Sequence, residues 1–239
     1  DLDIHAGGID NAFPHHTNEI AQSESYLGHK WCNYWFHVRH LNDASGKMSK
    51  SKGEFLTVSL LEKKGYDPMA YRLFCLQSHY RKNLVFSWEN LDNAVAAYDK
   101  LIAKIATFRQ EGEVDAEAAA KLKERFVNAL NGDLNTSVAV TALYDVLKAK
   151  CNDATKLALI ADFDQVLSLN LLSAAAALRE KQAQEEIVEV DPEIDSLVAA
   201  RTEAKKAKNW AEADRIRDEL KARGIEIIDT PQGAKWRRV

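Results

Sequence analysis

Three consecutive stretches decide how the chain begins to fold: Asp1-Leu2-Asp3-Ile4-His5-Ala6-Gly7-Gly8, then Phe13-Pro14-His15-His16-Thr17-Asn18-Glu19-Ile20-Ala21, then Trp31-Cys32-Asn33-Tyr34-Trp35-Phe36-His37-Val38. Residues 2–9 alternate and end in paired glycines, which reads as a strand entering a turn. Pro14 suits the first turn of a helix that runs to Gly28. Residues 31–41 are aromatic and β-branched, a second strand. Strand, helix and strand in this order predict a parallel α/β unit over 1–41. Residues 42–53 are polar, carry two glycines and read as a loop.

Beyond this unit the pattern turns helical. Pro68 follows the break Tyr66-Asp67 and starts a helix carrying Met69, Leu73 and Leu76. Leu91, Val95, Tyr98, Leu101, Ile102, Ile105 and Phe108 recur at helical spacing from Trp88 to Gln110. Further helices are expected at 115–131, 136–150 and 154–180, together an antiparallel bundle. Residues 181–192 read as a linker. A helix over 193–208 follows, then a second over 210–223, with Asn209 and Glu212 resembling a capping box and Gly224 stopping it. Residues 225–228 and 234–237 are expected to pair as strands. The fold class is therefore mostly α with α/β.

The whole chain has 239 residues, 46% hydrophobic and 28% charged, with 10 Gly and 4 Pro. This composition excludes a disordered tail and a collagen-like fibre. No run approaches the roughly 18 apolar residues of a spanning helix, so no membrane association is expected. Cys32, Cys75 and Cys151 are too few and too scattered for a disulfide framework, which points to a reducing, cytoplasmic setting. The chain opens inside a strand without Met, and is expected to be a piece of a longer protein.

The net charge of −4 is unevenly spread: residues 111–190 hold 14 acidic and 8 basic side chains, while 1–110 and 191–239 each stand at +1. A polyanionic partner would touch the two ends rather than the middle.

Four motifs carry chemistry. Gly7-Gly8-Ile9-Asp10 ends a strand, where glycines admit a ligand to the backbone and a carboxylate can bind ribose hydroxyls; alone it also reads as a plain turn. His15 and Glu19 are four residues apart on one helical face and have the donor types zinc uses, although a surface pair would look the same. The order differs from the His-Glu-x-x-His pattern of zinc proteases. Gly46-Lys47-Met48-Ser49-Lys50-Ser51-Lys52-Gly53 is a basic loop whose ammonium groups can neutralise charge on a departing phosphate. At the C-terminal end, Lys205, Lys206, Lys208, Trp210, Asp214, Arg215, Arg217, Asp229, Trp236, Arg237 and Arg238 mix cations with aromatics, a composition suited to single-stranded RNA loops. Trp210 shares helical spacing with Ala213 and Leu220 and is expected in the core.

These strings resemble a known family. Lys47-Met48-Ser49-Lys50-Ser51 is similar to the second signature of class I aminoacyl-tRNA synthetases. With Ile4 to Asp10, Phe13 to Gln22, Trp210 to Asp218 and Asp229 to Arg238, the chain resembles the back half of the bacterial cysteinyl-tRNA synthetases over its whole length. The resemblance implies ATP-dependent activation of cysteine and its transfer to the 3′ end of tRNA(Cys), with Mg2+ accompanying ATP. It implies that His15 and Glu19 are two of four protein ligands to Zn2+ and that His5 lines the amino-acid pocket. Gly7, Gly8 and Asp10 would contact the adenylate. Lys50, supported by Lys47, would contact phosphates as the catalytic lysine. Lys205, Asp214, Asp229, Trp236 and Arg237 would meet the anticodon. Thr17 stands where the family usually has Glu, at a position outside the ligand set.

The resemblance also implies four parts. Residues 1–40 would close a Rossmann-type catalytic domain, and 41–88 would carry the basic loop and a stem-contact region. Residues 89–185 would be a helical bundle, and 190–239 an anticodon-binding module, in a monomer. The family's His-Ile-Gly-His signature and the two cysteines that complete its zinc site are absent here, so the chain alone is expected to be inactive and to bind zinc weakly. Two alternatives share parts of this pattern: a non-catalytic tRNA-binding fragment, and a ligase joining cysteine to an amino sugar in mycothiol synthesis.

Overall fold

The structure, a computed structural model, describes residues 1–43, 46–47, 56–186, 191–207, 209–230 and 233–238. The chain is mostly helical and divides into two compact units, Asp1–Leu178 and Arg179–Val239.

The first unit opens with β1 (Leu2–Gly8), α1 (Thr17–Leu27) and β2 (Cys32–Val38), and the two strands pair in parallel. Gly28, at φ +74°, ends α1 in the left-handed conformation that glycine adopts without steric cost. The regular helix starts at Thr17, later than Pro14. Phe13 is extended (φ −144°, ψ 133°), so 12–16 form a wide, kinked turn before the helix. Leu2, Ile4 and Tyr34 on this small sheet are exposed.

The stretch from Trp31 to Leu41, expected as one strand, is broken at Arg39 and His40. It continues as β3 (Leu41–Asp43), which pairs antiparallel with β4 (Gly46–Lys47) and parallel with β5 (Leu84–Val85). Part of the expected loop is thus a short sheet. Between its strands lie α2 (Val58–Lys63) and α3 (Pro68–Leu76). Leu61, Phe74, Phe86, Leu91 and Ala94 form a small core beneath this sheet.

The main core joins α3 to α4 (Trp88–Ala106), α5 (Ala116–Asn131), α6 (Thr136–Lys148), α7 (Asp153–Leu167) and α8 (Leu171–Glu186). Thr57, Asp67, Ser87, Asp115, Asn135 and Asn152 each accept a backbone N–H at the head of their helix. Such caps contribute about 1 kcal/mol apiece.

The helix expected over 154–180 is two helices. Ser168 and Asn170 are left-handed (φ 52° and 56°), and Leu167, Leu169 and Leu171 are all fully buried. A continuous helix cannot send residues i, i+2 and i+4 to one side. The break is held by Asp164, whose two oxygens accept the N–H groups of Leu169 (2.6 Å) and Leu171 (2.8 Å), while Tyr98 donates to the Leu169 carbonyl (2.8 Å). The expected linker also begins later, because α8 runs on to Glu186.

The second unit contains α9 (Pro192–Lys206), α10 (Trp210–Ala222) and a hairpin of β6 (Ile225–Thr230) with β7 (Gly233–Arg238). Asn209 caps α10 by accepting from Glu212 N–H. Gly224 (φ 73°) turns the chain into β6. Ile194, Val198, Ile216, Leu220, Ile225 and Trp236 make its core. Trp210, expected there, is 59% exposed. It is the first residue of α10, one turn ahead of the first buried position, Ala213.

Candidate functional site

The register of the parallel pair sets His5 opposite Trp35 and Gly7 opposite His37, at the carboxyl half of both strands. The kinked turn and first turn of α1 bring His15, His16 and Glu19 to the same place. The Nε2–H of His5 donates to Glu19 Oε2 at 2.8 Å, and His15 Nε2 lies 3.4 Å from the other carboxylate oxygen. His16 is only 3% exposed, and its Nδ1 shares a hydrogen bond with His37 Nε2 at 2.8 Å. Trp35 packs against both His5 and His16 with ring centroids 5.0 Å apart.

Burial holds the His16 pKa below the ordinary histidine value, and His5 nearby adds to this, while Glu19 opposes it. A neutral imidazole is the form that ligates metals. Ligand atoms of His5, His16 and Glu19 lie within 4.8 Å of one another. His15, the expected ligand, stands on the far oxygen of Glu19 and is 65% exposed at its side chain. The donor types, three imidazoles around one carboxylate, suit a borderline divalent cation such as zinc.

Gly7 is required by this packing. A Cβ there would stand 2.8 Å from His16 Cε1 and 2.9 Å from Asn11 Nδ2. Gly8 ends the strand, and the carboxylate of Asp10 folds back over it, 3.9 Å from His40 Nε2. Gly7, Gly8 and Asp10 therefore lie together at the strand's carboxyl end, where parallel α/β units bind ligands.

Of the basic loop, the backbone of Lys47 lies in β4, and Met48, Ser49, Lys50 and Ser51 lie outside the described residues. In the second unit, Lys205 is in the last turn of α9, and Asp214 pairs with Arg217 at 3.1 Å. Asp229 and Arg237 are on the backbones of β6 and β7; their side chains are outside the description. Trp236, expected to meet bases, is 6% exposed and donates Nε1–H to Asp195 Oδ1 at 2.7 Å. A ring so enclosed has no face left for stacking, because β7 turns it inward onto the two helices. The two tryptophans have thus exchanged their expected places.

Sequence reasoning passed over His16, His37, Trp31 and Trp35. For Trp35 and His37 the signal was strand alternation: they are two apart on β2, hence on one face, and paired with His5 and Gly7.

Comparison with known proteins agrees with the motifs. Residues 1–96 match the family described as the tRNA synthetases class I (C) catalytic domain, and residues 188–237 match the cysteinyl-tRNA ligase anticodon binding domain. The fold is similar to part of the LeuRS of Agrobacterium radiobacter K84, solved as a ternary complex with tRNA and LeuAMS. The TM-score is 0.51 at 14% identity, over 72% of this chain and 26% of that one. The front of the chain thus matches a class I aminoacyl-tRNA synthetase catalytic domain.

Within that class the similarity is specific. The chain is 42% identical to the cysteine–tRNA ligase of Symbiobacterium thermophilum over 99% of its own length and 52% of the relative's. It is 41% identical to that of Novosphingobium aromaticivorans, over 99% and 50%. With the Brevibacillus brevis enzyme it shares 40%, over 100% and 53%. Over nearly its whole length it is similar to cysteine–tRNA ligases, and it spans about half the length of the curated relatives it matches.

Proposed function

We propose that the chain works as part of a cysteine–tRNA ligase, in which the cysteine carboxylate attacks the α-phosphate of ATP to give cysteinyl-adenylate and pyrophosphate. The 3′-terminal hydroxyl of tRNA(Cys) then attacks the acyl carbon and releases AMP. One observation carries this reading: the His5–His15–Glu19 cluster sits beside the Gly7-Gly8 strand end in a chain whose likeness to cysteine–tRNA ligases covers nearly all of it.

On this reading Gly7 and Gly8 let the adenylate approach the backbone, and Asp10 binds its ribose. Lys50, with Lys47, offsets the charge that develops on the phosphates, which ATP brings together with Mg2+. His15 and Glu19 would hold zinc as two of its four protein ligands. When bound, the zinc supplies a soft contact for the substrate thiolate, which serine and alanine cannot make. His5 orients Glu19 through the 2.8 Å hydrogen bond and lines the amino-acid pocket. Residues 1–40 would close the Rossmann-type catalytic domain, 41–88 would contact the tRNA stem and 89–185 would form the bundle behind it. Lys205, Asp214, Asp229 and Arg237, in the 190–239 module, would read the anticodon. The reducing setting inferred from the three cysteines fits a cytoplasmic enzyme; among the described residues no helix is long and apolar enough to cross a membrane.

An amino-sugar ligase would have no use for residues that match an anticodon binding domain, so the tRNA reading is favoured. The test is cysteine-dependent exchange of pyrophosphate into ATP and cysteinylation of tRNA(Cys) by the intact protein. Lys50→Ala should lower the rate by about two orders of magnitude or more, and Glu19→Gln should erode discrimination against serine. Equal activation of serine by the wild type would overturn the zinc–thiolate reading. The isolated chain should bind tRNA in a salt-sensitive way without forming adenylate.

A further inference from the structure

Residues 78–82, between α3 and β5, join two parts of the first unit through one side chain. The Tyr80 ring stacks on Phe36 of β2 at 4.2 Å and 27°, and its carbonyl accepts the Arg39 N–H at 2.9 Å. Its hydroxyl donates to Asp133 Oδ1 at 2.5 Å, and Arg81 Nε donates to Asp133 Oδ2 at 2.5 Å. Thr136, in the first turn of α6, donates to the Ser78 carbonyl at 3.3 Å. Asp133 and Leu134 are both left-handed (φ 65° and 51°). Left-handed backbone is disfavoured for a non-glycine residue, and persists where the surroundings hold it.

Phe36 and His37 are adjacent on β2, so their side chains leave opposite faces of the strand. His37 holds His16 on one face; Tyr80 bears on the other. We propose that Tyr80 and Asp133 are positioning residues for the imidazole cluster: the α5–α6 turn, through them, fixes the strand that carries His37.

The proposal rests on taking that cluster as the site, and it separates from a merely structural role by a simple argument. Asp133 is 47% exposed at its side chain, and ion pairs in such places add little to global stability. Its removal should therefore disturb the cluster more than it lowers the melting temperature.

The experiment compares Tyr80→Phe, Asp133→Asn and Phe36→Leu with Asp145→Asn in the full 239-residue chain. Asp145 pairs with Arg125 elsewhere on the bundle and serves as the control. Imidazole nitrogen resonances of His16 and His37 are recorded at fixed pH beside a melting curve. The first three variants should each shift both resonances and lose the hydrogen-bonded imidazole N–H signal, while Asp145→Asn leaves them in place. If a variant fails to fold, Arg81→Lys, which keeps the charge but not the two-nitrogen grip on Asp133, should give a smaller shift of the same kind. Wild-type resonances in Asp133→Asn with a lowered melting temperature would overturn the proposal. The signal needs no catalysis. Shifted resonances here, beside an intact protein that activates no cysteine, sustain this inference and sink the ligase reading; unshifted ones beside an active intact ligase do the reverse.

Discussion

A methyl group on Gly7 would stand 2.8 Å from Cε1 of His16, so the backbone of β1 and the buried imidazole occupy adjoining space with no room between them. Gly7→Ala is expected to cost about 1–3 kcal/mol, the usual penalty of overpacking. It should also push His16 away from His37. Urea denaturation and the His16 imidazole signal check both effects; full stability with an unmoved signal would contradict the packing.

Asp164 accepts two backbone N–H groups at the break between α7 and α8. Asp164→Ala leaves the N–H groups of two buried leucines without partners. A loss of about 1–3 kcal/mol per orphaned group is expected. The measurement is the denaturation midpoint, and a change under 0.5 kcal/mol, a surface-like value, would exclude the capping role.

The Asp133 carboxyl is held below the usual carboxylate range, chiefly by the Arg81 hydrogen bond and next by Tyr80. A depressed folded pKa adds stability that is complete above the unfolded value, about 3.9, and is lost as pH falls through the folded value. Asp133→Asn should flatten this acid limb by removing the contribution at neutral pH, a small loss at so exposed a site, so that variant and wild type converge as pH falls through the folded value. Parallel melting curves from pH 7 down to about pH 3 decide it; an unaltered acid limb counts against the tie.

Tyr98 is the alkaline counterpart, its hydroxyl pushed up to about 12, mainly by burial. A raised tyrosine pKa contributes stability present below the unfolded value near 10 and lost as pH rises toward the folded one. Tyr98→Phe should weaken the helix break at Leu169 by about 1 kcal/mol and remove this alkaline dependence. Titration of stability above neutral pH, beside wild type, is the check.

Trp236 and Trp210 should respond in opposite ways to truncation. Trp236→Ala removes the largest side chain of the small C-terminal core and is expected to cost about 3–5 kcal/mol, enough to unfold a unit of that size. Trp210→Ala should stay within about 0.5 kcal/mol. Urea denaturation followed by far-UV circular dichroism separates the two, and equal effects would contradict their observed burial.

Much of the architecture was legible in the chain because it is local. Alternation and the Gly-Gly end revealed β1; Pro68, Asn209 and Gly224 marked helix ends through their own backbone constraints. The break at Ser168 was hidden because leucine at 167, 169 and 171 is an excellent helix former in isolation. Only the demand that all three be buried forces the chain to turn.

The amino-acid order alone determined the strand–helix–strand opening, the helical body, the family likeness and the pairing of His15 with Glu19, all of which rest on short-range spacing. Tertiary structure decided the rest. His5 reaches Glu19 and His16 reaches His37 only because two strands 30 residues apart pair in one register. Trp236 is core and Trp210 surface because a hairpin folds back onto α9 and α10. Side-chain neighbours set by long-range pairing depend on how the strands and helices close on one another, which no local window of sequence contains.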